Sequence, residues 1–449
     1  MVKRHGLNRR AFLRGVPVTA IAAGIDVPFA NAADDTGAMK YDFDTPYNRI
    51  GTESIKWDRQ IRTWGKDNIA VGMGIADMDF RVAPCITKAL SQRLQHENWG
   101  YLDTPRSLSE AIIHWNKKRY GIEINPDLLV LTTGVHPAII SALKTFSPPG
   151  TKVLLATPNY DGFYGDIAFC ECRPEEVSMK LVNGRYSMDF EDLDRRISHD
   201  TNTLILCNPH NPTGNCWSRE DLTTIGEICT RRRVVVLADE IHCDFVTKGN
   251  RYVPYSTLAN REIVHNSITF KAASKSFGLS AMKCGWFFSE NADYIARVKA
   301  NSRQDFNTLG VVANHAALTE GEDWLDQLVP YIDRNHDFVE SFVRANMPLV
   351  KAVKAQGTYL SWLDVSAVSE RIGAGKLAAE ANQKRNPSTK PVTAEMILEE
   401  WFVRHAKVQL NPGSSYGSGG AGHMRMNIGT SRNTLQLALT NMAEALKKA

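Results

Sequence analysis

Ser267-Ile268-Thr269-Phe270-Lys271-Ala272-Ala273-Ser274-Lys275-Ser276-Phe277-Gly278-Leu279 passes from a β-branched and aromatic run into small polar residues around a lysine. The first part reads as a short buried strand and the second as the loop that leaves its carboxyl end. Two segments upstream have the same shape. Val236-Leu237-Ala238-Asp239-Glu240-Ile241-His242 ends an apolar run on two carboxylates and a histidine, and Leu206-Cys207-Asn208-Pro209-His210-Asn211-Pro212-Thr213-Gly214 ends one on a turn rich in Asn and Pro. Open sheets of parallel strands bind ligands outside the carboxyl ends of their strands, so the three loops are expected to meet at one site.

Outward from these segments, strand-like apolar runs alternate with helical patterns from about Asp79 to Asp326, as parallel α/β units require. Strands are predicted at 128–133, 152–156, 203–207, 234–238, 267–270 and 284–288, and helices at 88–95, 107–119, 137–146, 219–230 and 294–300. A long helix at 324–347 should lead into a smaller domain with a strand at 357–363 and helices at 394–405 and 433–448. At ~150 residues per domain, 449 residues suit two or three domains. The expected division is an export signal at 1–32, an N-terminal arm at 33–78 contributing to the small domain, a large cofactor-binding domain at 79–326 and a small C-terminal domain at 327–449.

The residue types at the three strand ends match what pyridoxal-phosphate chemistry demands. A lysine must bond to the cofactor aldehyde and then move the Cα proton. A carboxylate must keep the pyridine nitrogen protonated, a donor must hold the phenolic oxygen, and amides with hydroxyls or cations must hold the phosphate, most naturally at a helix start.

These motifs resemble the class I/II aminotransferases of pyridoxal-phosphate fold type I, and within them the MalY/PatB-type cystathionine β-lyases. Arg49-Ile50-Gly51-Thr52-Glu53-Ser54-Ile55-Lys56-Trp57-Asp58, Ala76-Asp77-Met78-Asp79-Phe80, Trp99-Gly100-Tyr101, Asp239-Glu240-Ile241-His242-Cys243-Asp244 and Gly357-Thr358-Tyr359-Leu360 carry the likeness along nearly the whole chain after the signal. The resemblance implies a large domain built on a mostly parallel seven-stranded sheet, plus a smaller α/β C-terminal domain. It implies that Lys275 is the Schiff-base lysine, Asp239 the partner of the pyridine nitrogen and Asn211 the donor to the phenolic oxygen. His242 takes the place where many aminotransferases have a tyrosine. Tyr160 should stack on the cofactor ring, with a catalytic part beside Lys275 and Asp239. Val135, His136, Ser274 and Lys283 should hold the phosphate, joined by Tyr101 of a neighbouring subunit in a homodimer with shared sites. Arg425 should clamp the substrate α-carboxylate with its planar fork. No metal is expected.

Three positions depart from the family pattern. Ala272 stands where a phosphate-binding Ser or Gly is usual, and His136 replaces an apolar residue in the phosphate turn. Gly74 stands where the β-lyases carry a tryptophan, and is expected to open the pocket to a larger substrate.

Composition narrows the function. Hydrophobic residues at 43%, charged residues at 23% and a net charge of +4 are ordinary globular values, and the short Arg231–Arg233 run without interleaved aromatics argues against a nucleic-acid partner. The first residues read differently. Asn8-Arg9-Arg10-Ala11-Phe12-Leu13-Arg14 resembles the twin-arginine export motif, followed by a weakly apolar stretch and an Ala30-Asn31-Ala32 cleavage signal. The apolar stretch is too short for a membrane span of ~20 residues, so no stable membrane association is expected, and the protein should reach the periplasm through the Tat translocase. Its eight cysteines form no C-x-x-C pair and no zinc-ligand spacing, and a protein folded before export needs no disulfide framework. Lysine in place of both Arg9 and Arg10 is expected to hold the precursor in the cytoplasm. Fractionation that finds the variant in the periplasm at the wild-type level would rule out this route.

Transamination and β-elimination share the whole cofactor site, so the motifs alone do not separate them. Export and Gly74 favour a periplasmic aminotransferase acting on an amino acid or on the amine of a secreted peptide or siderophore. The family likeness favours a C–S lyase that releases pyruvate, ammonia and a thiol. A cofactor-less binding or regulatory relative would have no use for Lys275, Asp239, Asn211 and Arg425 together.

Overall fold

All six apolar runs read as strands are strands, and they lie in one seven-stranded sheet. In the computed structural model, which describes residues 40–103, 105–182, 184–303 and 305–449, the strands are β1 (Leu129–Thr132), β2 (Lys152–Thr157), β3 (Arg173–Ser178), β4 (Thr201–Cys207), β5 (Val235–Asp239), β6 (Ser267–Lys271) and β7 (Gly285–Phe288). Their order is β1-β7-β6-β5-β4-β2-β3. β7 runs antiparallel to both its neighbours, and every other pairing is parallel. The central strands β5 and β6 are buried at every residue, so nothing solvent-facing interrupts their apolar runs. β3, Arg-Pro-Glu-Glu-Val-Ser, escaped the sequence reading because an edge strand carries charge and proline on its open side.

The second sheet is antiparallel throughout and holds β8 (Lys351–Ala352), β9 (Leu360–Asp364), β10 (Asn411–Pro412) and β11 (His423–Asn427) in the order β8-β9-β11-β10. The N-terminal arm reaches this part of the chain through the parallel pairing of Val71–Gly72 with Val408–Gln409. Tyr41–Ala449 form one compact unit, in which the boundary expected near 326 falls inside the helix Glu322–Asn346. That helix buries Trp324, Leu325, Leu328, Tyr331, Ile332, Val339 and Val343, a stripe at the 3.6-residue period. Thr308–Glu320 has no such stripe. It buries residues on all sides, and so gave no helical period to read.

The twin-arginine segment and the cleavage signal lie outside the described residues, as does the start of the arm. Among the described residues no helix is long and apolar enough to cross a membrane.

Candidate active site

Register brings the three motifs together. Cys207 at the end of β4 lies opposite Asp239 at the end of β5, which lies opposite Phe270 in β6. The loops beyond these ends carry Asn211, His242 and Lys275 to one cavity of about 610 Å³, and Val135, His136, Tyr160, Asp239, Ser274 and Lys283 line it with them. Nine of the residues expected from sequence therefore share one space.

Asp239 is buried, and its Oδ1 accepts the Ile241 amide at 3.1 Å. Burial pushes its carboxyl up to about 6, against the opposing pull of that amide, His136 and Lys275. Lys275 Nζ donates to the Ala76 carbonyl at 2.9 Å. Burial lowers its ammonium pKa, and the Arg425 charge adds to this while Asp77 and Asp239 oppose it. The shift favours the free amine, which is the nucleophilic form. His242 is buried, held neutral by burial and by the charges of Lys275 and Arg425, and its Nδ1 has no hydrogen-bond partner among the described residues.

The far end of the cavity is built for an anion. Gly134, at φ +148°, turns the chain into α1 (Val135–Phe146), whose first-turn amides have no partner within the helix. Ser274 and Lys283 line the same cavity. Ala272 is packed into the core and is absent from the cavity lining. Asn211 Oδ1 accepts from Arg425 Nη1 at 3.0 Å, which leaves the asparagine NH2 as a donor. A buried carboxylate, a lysine whose charge burial disfavours, an amide donor and a helix start with free amides complement the pyridine nitrogen, aldehyde, phenolic oxygen and phosphate of pyridoxal phosphate. The residues present fit this cofactor. Among the described residues no group of three or more His, Cys, Asp or Glu is arranged to hold a metal ion.

Three expectations look different in the structure. Arg425 is almost fully buried, and both ends of its fork are engaged, Nη1 by Asn211 and Nη2 by the Gly74 carbonyl at 2.8 Å, over the Tyr416 ring. It adjoins the cavity through Asn211. Tyr101 is fully exposed on its own chain and lies outside the cavity.

Gly74 requires a correction, because it opens no pocket. A β-carbon there would come within 2.4 Å of Gln409 Oε1 and 2.5 Å of Asn411 Oδ1. Those side chains are fixed, Gln409 by Glu399 at 2.7 Å and by the Gly74 amide at 3.1 Å, Asn411 by the Tyr416 hydroxyl at 3.1 Å. The room an indole would take is filled with hydrogen-bonded amides. Gly74→Trp is therefore expected to destabilise the fold by about 2–5 kcal/mol, through overpacking and broken buried hydrogen bonds, whatever the substrate. Chemical denaturation measures this, and an unchanged midpoint would show that the site has room after all.

Sequence reasoning missed Asp166. It lies in α2 (Gly162–Phe169), and its Oδ2 is 2.5 Å from His136 Nδ1. The other face of that imidazole, Nε2, is 3.3 Å from the Tyr160 hydroxyl. The signal was present, since Asp166 is the one charged residue of Gly-Phe-Tyr-Gly-Asp-Ile-Ala-Phe. Cys207, Asp305 and Asn307 also line the cavity without having been singled out for it.

A seven-stranded, mostly parallel sheet with lysine, aspartate and asparagine beyond adjacent strand ends defines the pyridoxal-phosphate-dependent transferases of fold type I. The chain belongs to the aminotransferase class I and II family, whose model matches residues 68–441. It is 35% identical to cystathionine β-lyase PatB of Bacillus subtilis over 409 residues, covering 90% of this chain and 99% of that one. A PLP-bound putative aminotransferase from Clostridium difficile is 30% identical with a TM-score of 0.81, covering 90% of this chain and 100% of the other. Cystalysin from Treponema denticola, whose crystal structure contains pyridoxal 5'-phosphate, is 28% identical with a TM-score of 0.82, covering 91% and 100%.

Proposed function

We propose that this chain is a pyridoxal-phosphate-dependent C–S β-lyase, which with one water cleaves a small amino acid carrying sulfur at Cβ into pyruvate, ammonia and a thiol. The observation that carries the reading is the 35% identity to a cystathionine β-lyase along 99% of its length. The sequence also favours a periplasmic aminotransferase acting on an amino acid or on a peptide- or siderophore-borne amine. That expectation leans on export and on open space at Gly74, and the space at Gly74 is filled.

Bound pyridoxal phosphate supplies an electron sink for the pair left at Cα when its proton departs. The chain's residues do the rest. Lys275, whose ammonium burial disfavours, takes the Cα proton at Nζ. Asp239 sits as a carboxylate above pH about 6 and would keep the pyridine nitrogen of the bound cofactor protonated. Asn211 donates its amide NH2, and Arg425 would orient the substrate carboxylate by giving up its contacts to Asn211 and the Gly74 carbonyl for it. The C–S bond then breaks with its electron pair on sulfur.

A homodimer belongs to the same proposal. Trp99, Tyr101 and Leu102 are exposed together, an apolar group that a second subunit would cover while receiving Tyr101 at its phosphate site. Export by the Tat route stays part of the reading, supported by the paired arginines and Ala-x-Ala site.

The test is to incubate holoenzyme with L-cystathionine and no keto acid, and to measure pyruvate and thiol together. Equimolar release over many turnovers is expected. Turnover that stops after one equivalent and resumes on adding a keto acid would make the enzyme a transaminase.

A further inference from the structure

We propose that Asp166, His136 and Tyr160 form a proton relay in the cavity wall, which makes the Tyr160 hydroxyl an acid–base group of the site. The inference rests on the reading of this cavity as the cofactor site, and it deepens that reading by adding a proton donor for the leaving group.

The chemistry follows from which atoms can carry protons. Asp166 is buried, and an ionised carboxyl only accepts, so the ring nitrogen facing it, His136 Nδ1, holds a hydrogen. That leaves Nε2 to face the Tyr160 oxygen. When His136 is neutral, Nε2 accepts the phenol hydrogen; when it is charged, Nε2 donates to the phenol oxygen. The rings lie 5.5 Å apart at 50°. Their approach depends on Gly162, where a β-carbon would come within 2.6 Å of Tyr160 Cε1 and 2.7 Å of His136 Cε1. Tyr160 is braced on its other side by the edge contact with Phe163 at 5.3 Å.

The surroundings set the direction of proton flow. Burial works against a charged His136 ring, but the hydrogen bond and charge of Asp166, with Asp239 farther off, outweigh it and the opposing Lys275, and hold the ring above the ordinary histidine range. Burial pushes the Tyr160 phenol up as well, with Asp161, Tyr416 and Asp166 adding to this and Arg425 opposing it. Such a phenol does not give up its proton unaided, and the relay replaces that proton as it leaves. The Tyr160 O–H bond breaks towards the departing sulfur, which keeps the C–S electron pair. The Nε2 proton moves to the phenol oxygen. A neutral imidazole remains, still bonded through Nδ1–H to Asp166, and no oxidant or reductant is involved. Tyr160, in the cavity lining, would meet the leaving group, whereas His136 and Asp166 act through it.

The relay works as an acid while His136 is charged, so kcat should fall as pH rises through the raised histidine pKa. Asp166→Asn, close to isosteric, removes the charge that raises it. Imidazole 15N NMR across pH, on apo and holo protein, should place the His136 midpoint at least about one pH unit lower in Asp166→Asn than in wild type. The alkaline limb of kcat should move down by the same amount. His136→Val should lose that limb, and Tyr160→Phe should lose about a hundredfold in kcat with KM little changed. An unchanged His136 midpoint in Asp166→Asn would overturn the relay, as would a moved midpoint with the kcat limb still in place. If cystathionine releases no pyruvate while the His136 midpoint still moves with Asp166, the β-lyase reading fails and the Asp166–His136 coupling stands.

Discussion

Lys275→Ala is expected to lose at least about 10⁴-fold in turnover and to show no covalently held cofactor, while remaining folded. Lys275 lines the cavity from a half-buried position, and its Nζ donates to the Ala76 carbonyl. Removing it takes away the group expected to bond to the cofactor and the base expected to move the Cα proton. The fold should survive, since burial already disfavours the ammonium and the side chain contributes little net stability there. Near-ultraviolet circular dichroism and the thermal midpoint check the fold, and the cofactor absorbance with pyruvate release checks the chemistry. Activity within about tenfold of wild type would mean that another lysine serves.

Asp239→Asn is expected to lower kcat by about 10²–10³-fold, the scale of removing one preorganised electrostatic partner from a site shielded from water. The amide keeps shape and removes charge, so cofactor binding should fall less than kcat. The same change should stabilise the apo protein. The Asp239 carboxyl is held at about 6 in the fold against 3.8 ordinarily, so the folded state binds more protons than the unfolded one between those values. Stability therefore falls as pH rises through that window. Above pH about 6 the buried carboxylate costs about 2–3 kcal/mol, which asparagine would return, and below pH about 4 the two proteins should unfold alike. Denaturation of the apo proteins at both pH values checks the sign. An apo variant less stable than wild type at neutral pH would show that the charge is compensated in the fold.

The sequence made the sheet centre legible for a physical reason. Strands buried on both faces, such as β5 and β6, are dominated by apolar and β-branched residues, and their ends turn polar where ligand is met. Lys275, Asp239 and Asn211 were readable because each lies at or just beyond such an end. What escaped depends on contacts distant in sequence. Asp166 and His136 lie on different helices, and only packing brings them together. Gly74 looked like empty space because a glycine in a sequence says nothing of who fills the room beside it, here Gln409 and Asn411 from the other end of the chain. Tyr101 is the reverse case, a residue named for a site that its own chain does not reach.

Three lysines stand close together in sequence here, and they separate the central claim from its rivals. Lys283 lines the same cavity as Lys275. Lys271 is buried 4.0 Å over the Tyr120 ring, and its Nζ has no hydrogen-bond partner among the described residues. The direct measurement is borohydride reduction of the holoenzyme, followed by digestion and mass mapping of the pyridoxyl group. The account predicts the whole adduct on the peptide carrying Lys275, at that residue. An adduct on Lys271 or Lys283, or a reduced holoenzyme with no modified lysine, would contradict it.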